Sequence, residues 1–418
     1  MGGFEGGRRS APGGSAGHSA AGLGWDDGWQ AAWDAHLADG PGGGSATGRG
    51  SGLLPARVVA EHRGVHMVAV RSVGSAGSVG PTGSSADGEP SGGVDGEVVL
   101  AARLSGRLRR DSTAPGGLPV VGDWVAVVAR PEDGTATIRS VLPRRTQLRR
   151  RAPADHAAPI QVLAANVDVI FVATSLNRDL NVRRIERYLT TAWESGAQPV
   201  IVLTKVDLAA DPVEVAAAEA ELREVALNVP ILVTSALTGE GLAPVRALLG
   251  PGVTVVLVGS SGVGKSTLAN ALLGEARLAT SGIREDDSRG HHTTSSRQLI
   301  RLPGGGLLID TPGVRELGLW DDGPGLATTF ADVEALALNC RFTDCGHETE
   351  PGCAVLAAEA EGSLAPERLE DWRRLEREER HRAIEKDAIA RRADKRRWVT
   401  VTRAGTQQAK AKRGELGQ

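Results

Sequence analysis

The order of apolar and polar positions divides the 418-residue chain into stretches with different periods. Between Gly24 and Gly40, Trp25, Trp29, Trp33 and Leu37 recur every fourth residue, with Asp26 and Asp27 at the start. That spacing predicts a short helix with one apolar stripe. Such a stripe can dock on the next domain or meet a partner, and docking is the expectation. From Leu54 the period changes to two. Residues 56–70, 96–109, 119–130 and 134–142 alternate and are separated by Gly, Pro and Asp, as short strands are. Four or five short strands in this span predict a small barrel, most economically an OB-fold. From Asn166 the period changes again. Continuous apolar runs at 167–175, 198–208, 230–237 and 254–260 alternate with helical patterns at 183–196, 213–227 and 241–250. Buried strands alternating with helices predict a parallel α/β sheet with right-handed crossovers.

Composition adds three points. The 55 glycines are unevenly spread, and residues 1–22, 41–51 and 72–93 read as disorder, linker and a solvated insertion. Aromatics are 3% against 41% hydrophobic residues, so the cores must be aliphatic. No apolar run reaches the roughly 18 residues of a membrane span, and Gly and Ser follow Arg8 and Arg9 where a secretory signal would be apolar. The net charge of −3 hides a local excess: residues 373–413 carry 15 Lys and Arg against 6 Asp and Glu. That excess and the basic run 143–153 are candidate RNA contacts, the alternatives being a solvated helix and a solvated connector.

The chemistry is concentrated in a few short motifs. Residues 259–267 (Gly259, Ser260, Ser261, Gly262, Val263, Gly264, Lys265, Ser266, Thr267) follow an apolar strand and open a helix, the context of a P-loop. The glycines let backbone amides face phosphates, Lys265 reaches the outer phosphates, and Ser266 offers its hydroxyl to magnesium. Asp310 ends another strand, where it can hold magnesium through water, and Gly313 can donate its N–H to a γ-phosphate. Thr204, Lys205, Val206 and Asp207 end a third strand. A carboxylate there accepts from guanine's ring N–H and amine, a pair that adenine cannot supply. The Lys205 stem can lie across the base, and a backbone amide of Ser235, Ala236 or Leu237 can meet the guanine oxygen. The base motifs precede the phosphate motifs, the reverse of the common GTPase order, so a circular permutation is predicted. The three cysteines lie within fourteen residues; Cys340, Cys345 and Cys353 with His347 match a closed structural zinc site in a reducing compartment.

Together these motifs, with residues 289–294, 310–320, 120–125 and 143–148, resemble the bacterial small-subunit-dependent GTPases, which are circularly permuted. The resemblance covers roughly residues 54–400. It implies a multidomain protein: a flexible extension with a Trp-rich helix (1–53), an OB-fold RNA-binding domain (54–150), a permuted P-loop GTPase domain (151–322), and a mostly helical zinc domain with a basic tail (323–418). It further implies GTP hydrolysis in late maturation of the small ribosomal subunit, stimulated by that subunit and its rRNA, in a cytoplasmic monomer with no membrane. A module using guanine nucleotide only as a structural ligand, or a GTPase serving another RNA particle, are the alternatives. Two features depart from the family's pattern: Thr204, and residues 1–53 and 72–93, which are longer and richer in glycine. Thr204 stands where the family usually has Asn, so base contacts are expected to be weaker. Val314 stands where many GTPases have a water-orienting Gln. By resemblance His292 is the candidate for that task, and either Thr293 or Thr294 is the magnesium ligand of the closing loop.

Overall fold

The computed structural model describes residues 21–38, 52–62, 64–71, 97–111, 117–150, 161–176, 180–278, 297–310 and 325–380. Helix α1 (Asp27–Ala38) is followed by β1 (Leu53–His62), β2 (Val65–Arg71), β3 (Glu97–Leu104), α2 (Gly106–Asp111), β4 (Trp124–Arg130) and β5 (Thr135–Val141). These strands run in the order β1-β2-β3-β5-β4, and β4 pairs back to β1, which closes a five-strand barrel. Inward-facing Val58, Val68, Leu100, Val125, Val127 and Ile138 fill it. The alternation expected through residue 109 stops at Leu104 because the Ser105 hydroxyl accepts from the Leu108 amide at 3.2 Å and starts α2.

Helix α1 docks, as its stripe predicts. Trp29 and Trp33 are buried, and Trp25 meets Trp124 of β4 edge-on at 4.7 Å. The stripe ends one residue early, however. Leu37 is 45% exposed, and His36 instead reaches Ser140 on β5, with Nε2 2.6 Å from its hydroxyl.

The second half begins with a hairpin of β6 (Gln147–Arg150) and β7 (Gln161–Ala165). It continues with β8 (Val169–Ser175), α3 (Val182–Ser195), β9 (Gln198–Thr204), α4 (Pro212–Val225), β10 (Ile231–Val233), α5 (Leu242–Ala247), β11 (Thr254–Val258), α6 (Lys265–Leu273), β12 (Arg297–Arg301) and β13 (Leu307–Asp310). The order is β10-β9-β8-β11-β13-β12, parallel except for β12. Local signals set the helix ends: Asn181 caps α3, Gly196 ends it in the left-handed region, and Asp211 with Pro212 opens α4. One apolar layer packs under α3 and α4, and another under α5 and α6. Helices α7 (Gly325–Thr329), α8 (Ala331–Ala337), α9 (Ala354–Ala360) and α10 (366–380) form a separate core around Phe330, Val333, Val355, Leu369 and Leu375.

Barrel and α/β sheet are continuous, because β1 pairs with β12 at Ala60–Gln298 and Glu61–Arg297. Behind this seam Arg57 of β1 is buried and donates to Gly122 O, Leu23 O, Asn166 O and the Thr254 hydroxyl. Burial lowers its guanidinium to about 10, against the pull of Asp168 and Asp123. The basic run 143–153 is partly committed to the same seam. Arg144 pairs with buried Asp123 at 2.7 Å, and Arg145 makes a two-pronged pair with Asp26 while covering the Trp29 ring.

Candidate active site

The loop between β11 and α6 turns on three glycines with positive φ, Gly259, Gly262 and Gly264. Gly259 has φ +144°, and a Cβ there would lie 2.4 Å from Ala173 O, so only glycine lets this turn pass β8. Gly264 is also left-handed, and α6 begins beyond it with Lys265 and Ser266 in its first turn. The Lys265 ammonium lies over the loop, 2.8 Å from Gly259 O and 2.5 Å from Ser260 O. Amide N–H groups at a helix start and one ammonium make an anion cradle suited to a polyphosphate.

The base motif lies against this loop. Asp207 follows β9, and its Oδ1 accepts from the Ser235 hydroxyl at 2.5 Å. The bond couples the two base motifs and turns the carboxylate. Ser235 is buried, and its amide donates to Glu240 O at 3.0 Å, which pins the turn after β10. Ala236 is half-buried and packs against the core beside α5 and α6, whereas Leu237 is 81% exposed. Val206 is buried and belongs to the core.

Thr204 and Lys205 do more than their motif suggests. Thr204 is 3% exposed, and its hydroxyl lies 2.6 Å from Val263 O and 3.0 Å from Thr174 O. It braces β8 and the phosphate loop against each other. Lys205 has φ +60°, and its ammonium donates to Gly262 O at 2.5 Å. Both contacts reach across about 60 residues of chain, and the only sequence sign of them is a small hydroxyl at the end of a buried strand. Thr204→Val keeps the shape and removes the donor, leaving Val263 O unsatisfied. GDP affinity is expected to fall roughly tenfold from the loss of 1–2 kcal/mol, and Thr204→Ser to restore it. Titration with fluorescent GDP measures this; equal affinities for Thr204→Val and the unaltered chain would show that the brace is unimportant.

Asp310 ends β13, one strand from β11 in the sheet. His292, Thr293, Thr294 and Gly313 lie outside the described residues, as do 289–291, 311–324, the insertion 72–93 and the basic tail 381–418.

Cys340, Cys345, His347 and Cys353 come together between α8 and α9, with their ligand atoms all within 4.8 Å of one another. Three thiols and an imidazole at that spacing fit a metal ion. His347 is left-handed at φ +55°, its ring lies 5.2 Å from that of Trp372, and Arg373 donates to its carbonyl. The Leu356 amide donates to Cys353 Sγ at 3.4 Å, so this candidate ligand also caps α9. Beside it, backbone amides of the 346–350 turn hold the Glu350 carboxyl down to about 2.

Residues 141–320 match the family model of the RsgA GTPase. A small ribosomal subunit biogenesis GTPase RsgA from Opitutus terrae is 43% identical over 388 residues, covering 91% of this chain and 95% of its own. The chain belongs to the RsgA GTPase family. Among solved structures, YjeQ from Thermotoga maritima is similar with a TM-score of 0.55 at 26% identity, over 78% of this chain and 98% of that one. YloQ, titled a circularly permuted GTPase, is similar in fold, with a TM-score of 0.53 at 21% identity over 81% and 98% of the two chains. In this chain β9, which ends in Thr204, and β10, which precedes Ser235, come before β11 in sequence and lie with it in the same sheet.

Proposed function

We propose that the protein hydrolyses GTP to GDP and phosphate on the small ribosomal subunit during its late maturation, with the subunit stimulating the reaction. The observation that carries this reading is the meeting of the 259–267 loop with Thr204 and Lys205, next in the chain to Asp207 and its bond with Ser235, reinforced by relatives named small ribosomal subunit biogenesis GTPase RsgA. In this reading the loop amides and Lys265 grip the β- and γ-phosphates, and Asp207 selects guanine. Ser266, Asp310 and Thr293 or Thr294 hold magnesium, which neutralises charge on the phosphates. Gly313 donates its amide to the γ-phosphate. His292 orients the attacking water by hydrogen bonding, the place Val314 cannot fill.

The barrel serves as an OB-fold and the 373–413 segment as a basic arm, both toward rRNA. The Cys340–Cys345–His347–Cys353 set holds one structural zinc, since four protein ligands complete a tetrahedral shell. No helix among the described residues is long and apolar enough to cross a membrane. The reading places the protein in the cytoplasm as a monomer, where ribosomes mature.

Single-turnover hydrolysis with and without purified small subunits tests it, with a clear rate increase expected. An identical rate in both would favour a nucleotide-stabilised assembly module. His292→Ala is expected to slow the stimulated step about 10²–10³-fold, with GTP affinity nearly unchanged. An unaltered rate would remove His292 from the mechanism.

A further inference from the structure

A buried guanidinium ties the helix after the Asp310 strand to the nucleotide-binding sheet. Arg368, on α10, donates from Nη1 to Glu186 Oε1 on α3 at 2.7 Å. Its Nε and Nη2 donate to the two oxygens of Asp332 on α8 at 3.0 and 2.9 Å, and Nη2 also donates to Thr329 O at the end of α7 at 2.7 Å. The guanidinium lies over the Phe330 ring at 4.2 Å. Glu186 is 1% exposed, and burial raises its carboxyl to about 7, with Arg368 opposing the rise and Asp371 adding to it.

Helix α7 itself is pressed on α3. A Cβ on Gly325 would lie 2.4 Å from Thr190 O, and the Thr190 and Thr329 hydroxyls are 3.2 Å apart. Gly325 is fifteen positions beyond Asp310 in the chain. Arg183 and Arg187 of α3 extend the same seam through Asp371 at 3.2 Å and Glu378 at 2.8 Å.

Stability alone does not call for such a group. A buried ion pair can often be replaced by apolar side chains without loss. A planar guanidinium fork supplies direction, since its hydrogen bonds are satisfied at one mutual arrangement of the elements it joins. Three of those elements are α3, which follows β8 beside the P-loop strand, and α7 and α8, which follow the strand ending in Asp310.

We propose that Arg368 is a positioning residue for GTP hydrolysis, holding α7 on α3 so that the C-terminal helices and the γ-phosphate side of the site keep one fixed relation. The proposal rests on the GTPase reading above, and its test separates the two. Full-length protein carrying Arg368→Gln is compared with the unaltered chain for single-turnover GTP hydrolysis, GDP affinity and thermal unfolding. Hydrolysis is expected to fall about tenfold while the GDP Kd stays within about twofold, a loss confined to the catalytic step. Glu186→Gln, which keeps the oxygen that accepts from Arg368, is expected to retain most of the rate, whereas Glu186→Leu is expected to behave like Arg368→Gln. If Arg368→Gln does not fold, the two Glu186 variants decide by the same readouts. Equal hydrolysis in folded Arg368→Gln overturns the proposal, as does a parallel loss of rate, GDP affinity and stability, which marks a purely structural contact. An unaltered chain that binds GTP without hydrolysing it overturns the GTPase reading, and the proposal with it.

Discussion

Asp207→Asn is expected to lower affinity for guanine nucleotides about a thousandfold and to create affinity for xanthine nucleotides. The carboxylate offers two acceptor oxygens and no donor, and the Ser235 hydroxyl at 2.5 Å on Oδ1 fixes how it faces. Guanine presents a ring N–H and an exocyclic amine to such a group. Each charge-assisted bond contributes about 1.5–3 kcal/mol, so the pair amounts to roughly 3–6 kcal/mol. In Asp207→Asn, the side-chain oxygen can still accept from Ser235, which turns the new NH2 toward the guanine amine, donor against donor. Xanthine carries a carbonyl at that place and accepts from the amide instead. Fluorescent GDP and XDP titrations on the same preparation measure the switch. A variant that still preferred guanine would show that another group reads the base, and Asp207 would lose its role.

The chemical parts of this site are legible in the sequence because their geometry is local. A glycine-rich loop between a strand and a helix can form one cradle, and its nine residues announce it in the sequence, although β8 and β9 brace it in the fold. Likewise, two cysteines, a histidine and a third cysteine within fourteen positions meet because the chain between them is too short to separate them widely. The arginines carry no such local signal. Arg57, Arg145 and Arg368 look in sequence like any solvated charge, yet each is held by partners more than 30 positions away. Charge alone does not distinguish an arginine that faces a phosphate from one that faces a buried carbonyl. The run 143–153 therefore reads as a basic connector, while Arg144 and Arg145 close the seam between barrel and sheet and residues 147–150 form an edge of the β6–β7 hairpin. Thr204 carries a contact that its motif does not announce, for a related reason. As a base contact it looks like a poor substitute for an amide, but its hydroxyl is placed on Val263 O, a partner that only the folded sheet supplies. Leu37 shows the opposite limit: helical spacing extends the apolar stripe by one turn more than the barrel surface accommodates.

Stripping the proposed zinc with a strong chelator is expected to unfold the helices of 325–380 while GDP binding persists. The apolar core there is small, and all four candidate ligands pack in it or against it. Cys353 is buried in that core and caps α9, and His347 is buried against Trp372. Structural zinc supplies about 10–16 kcal/mol at neutral pH in zinc-finger peptides, as much as the whole net stability of an ordinary domain. Without it, three thiols and an imidazole lose their common partner, and the left-handed backbone at His347 loses its compensation. The nucleotide loop does not depend on these contacts, since its braces come from β8, β9 and its own backbone. Far-UV circular dichroism should therefore report a partial loss of helix, and fluorescent GDP a Kd within about threefold of the metal-loaded value. Readdition of zinc should restore the helix signal, and magnesium alone should not, because thiolates are poor ligands for a hard cation. Cys353→Ala should reproduce the chelated state. A chelated protein with an unchanged helix signal would show that the cluster holds no structural metal, and a simultaneous loss of GDP binding would show that the two halves unfold as one unit.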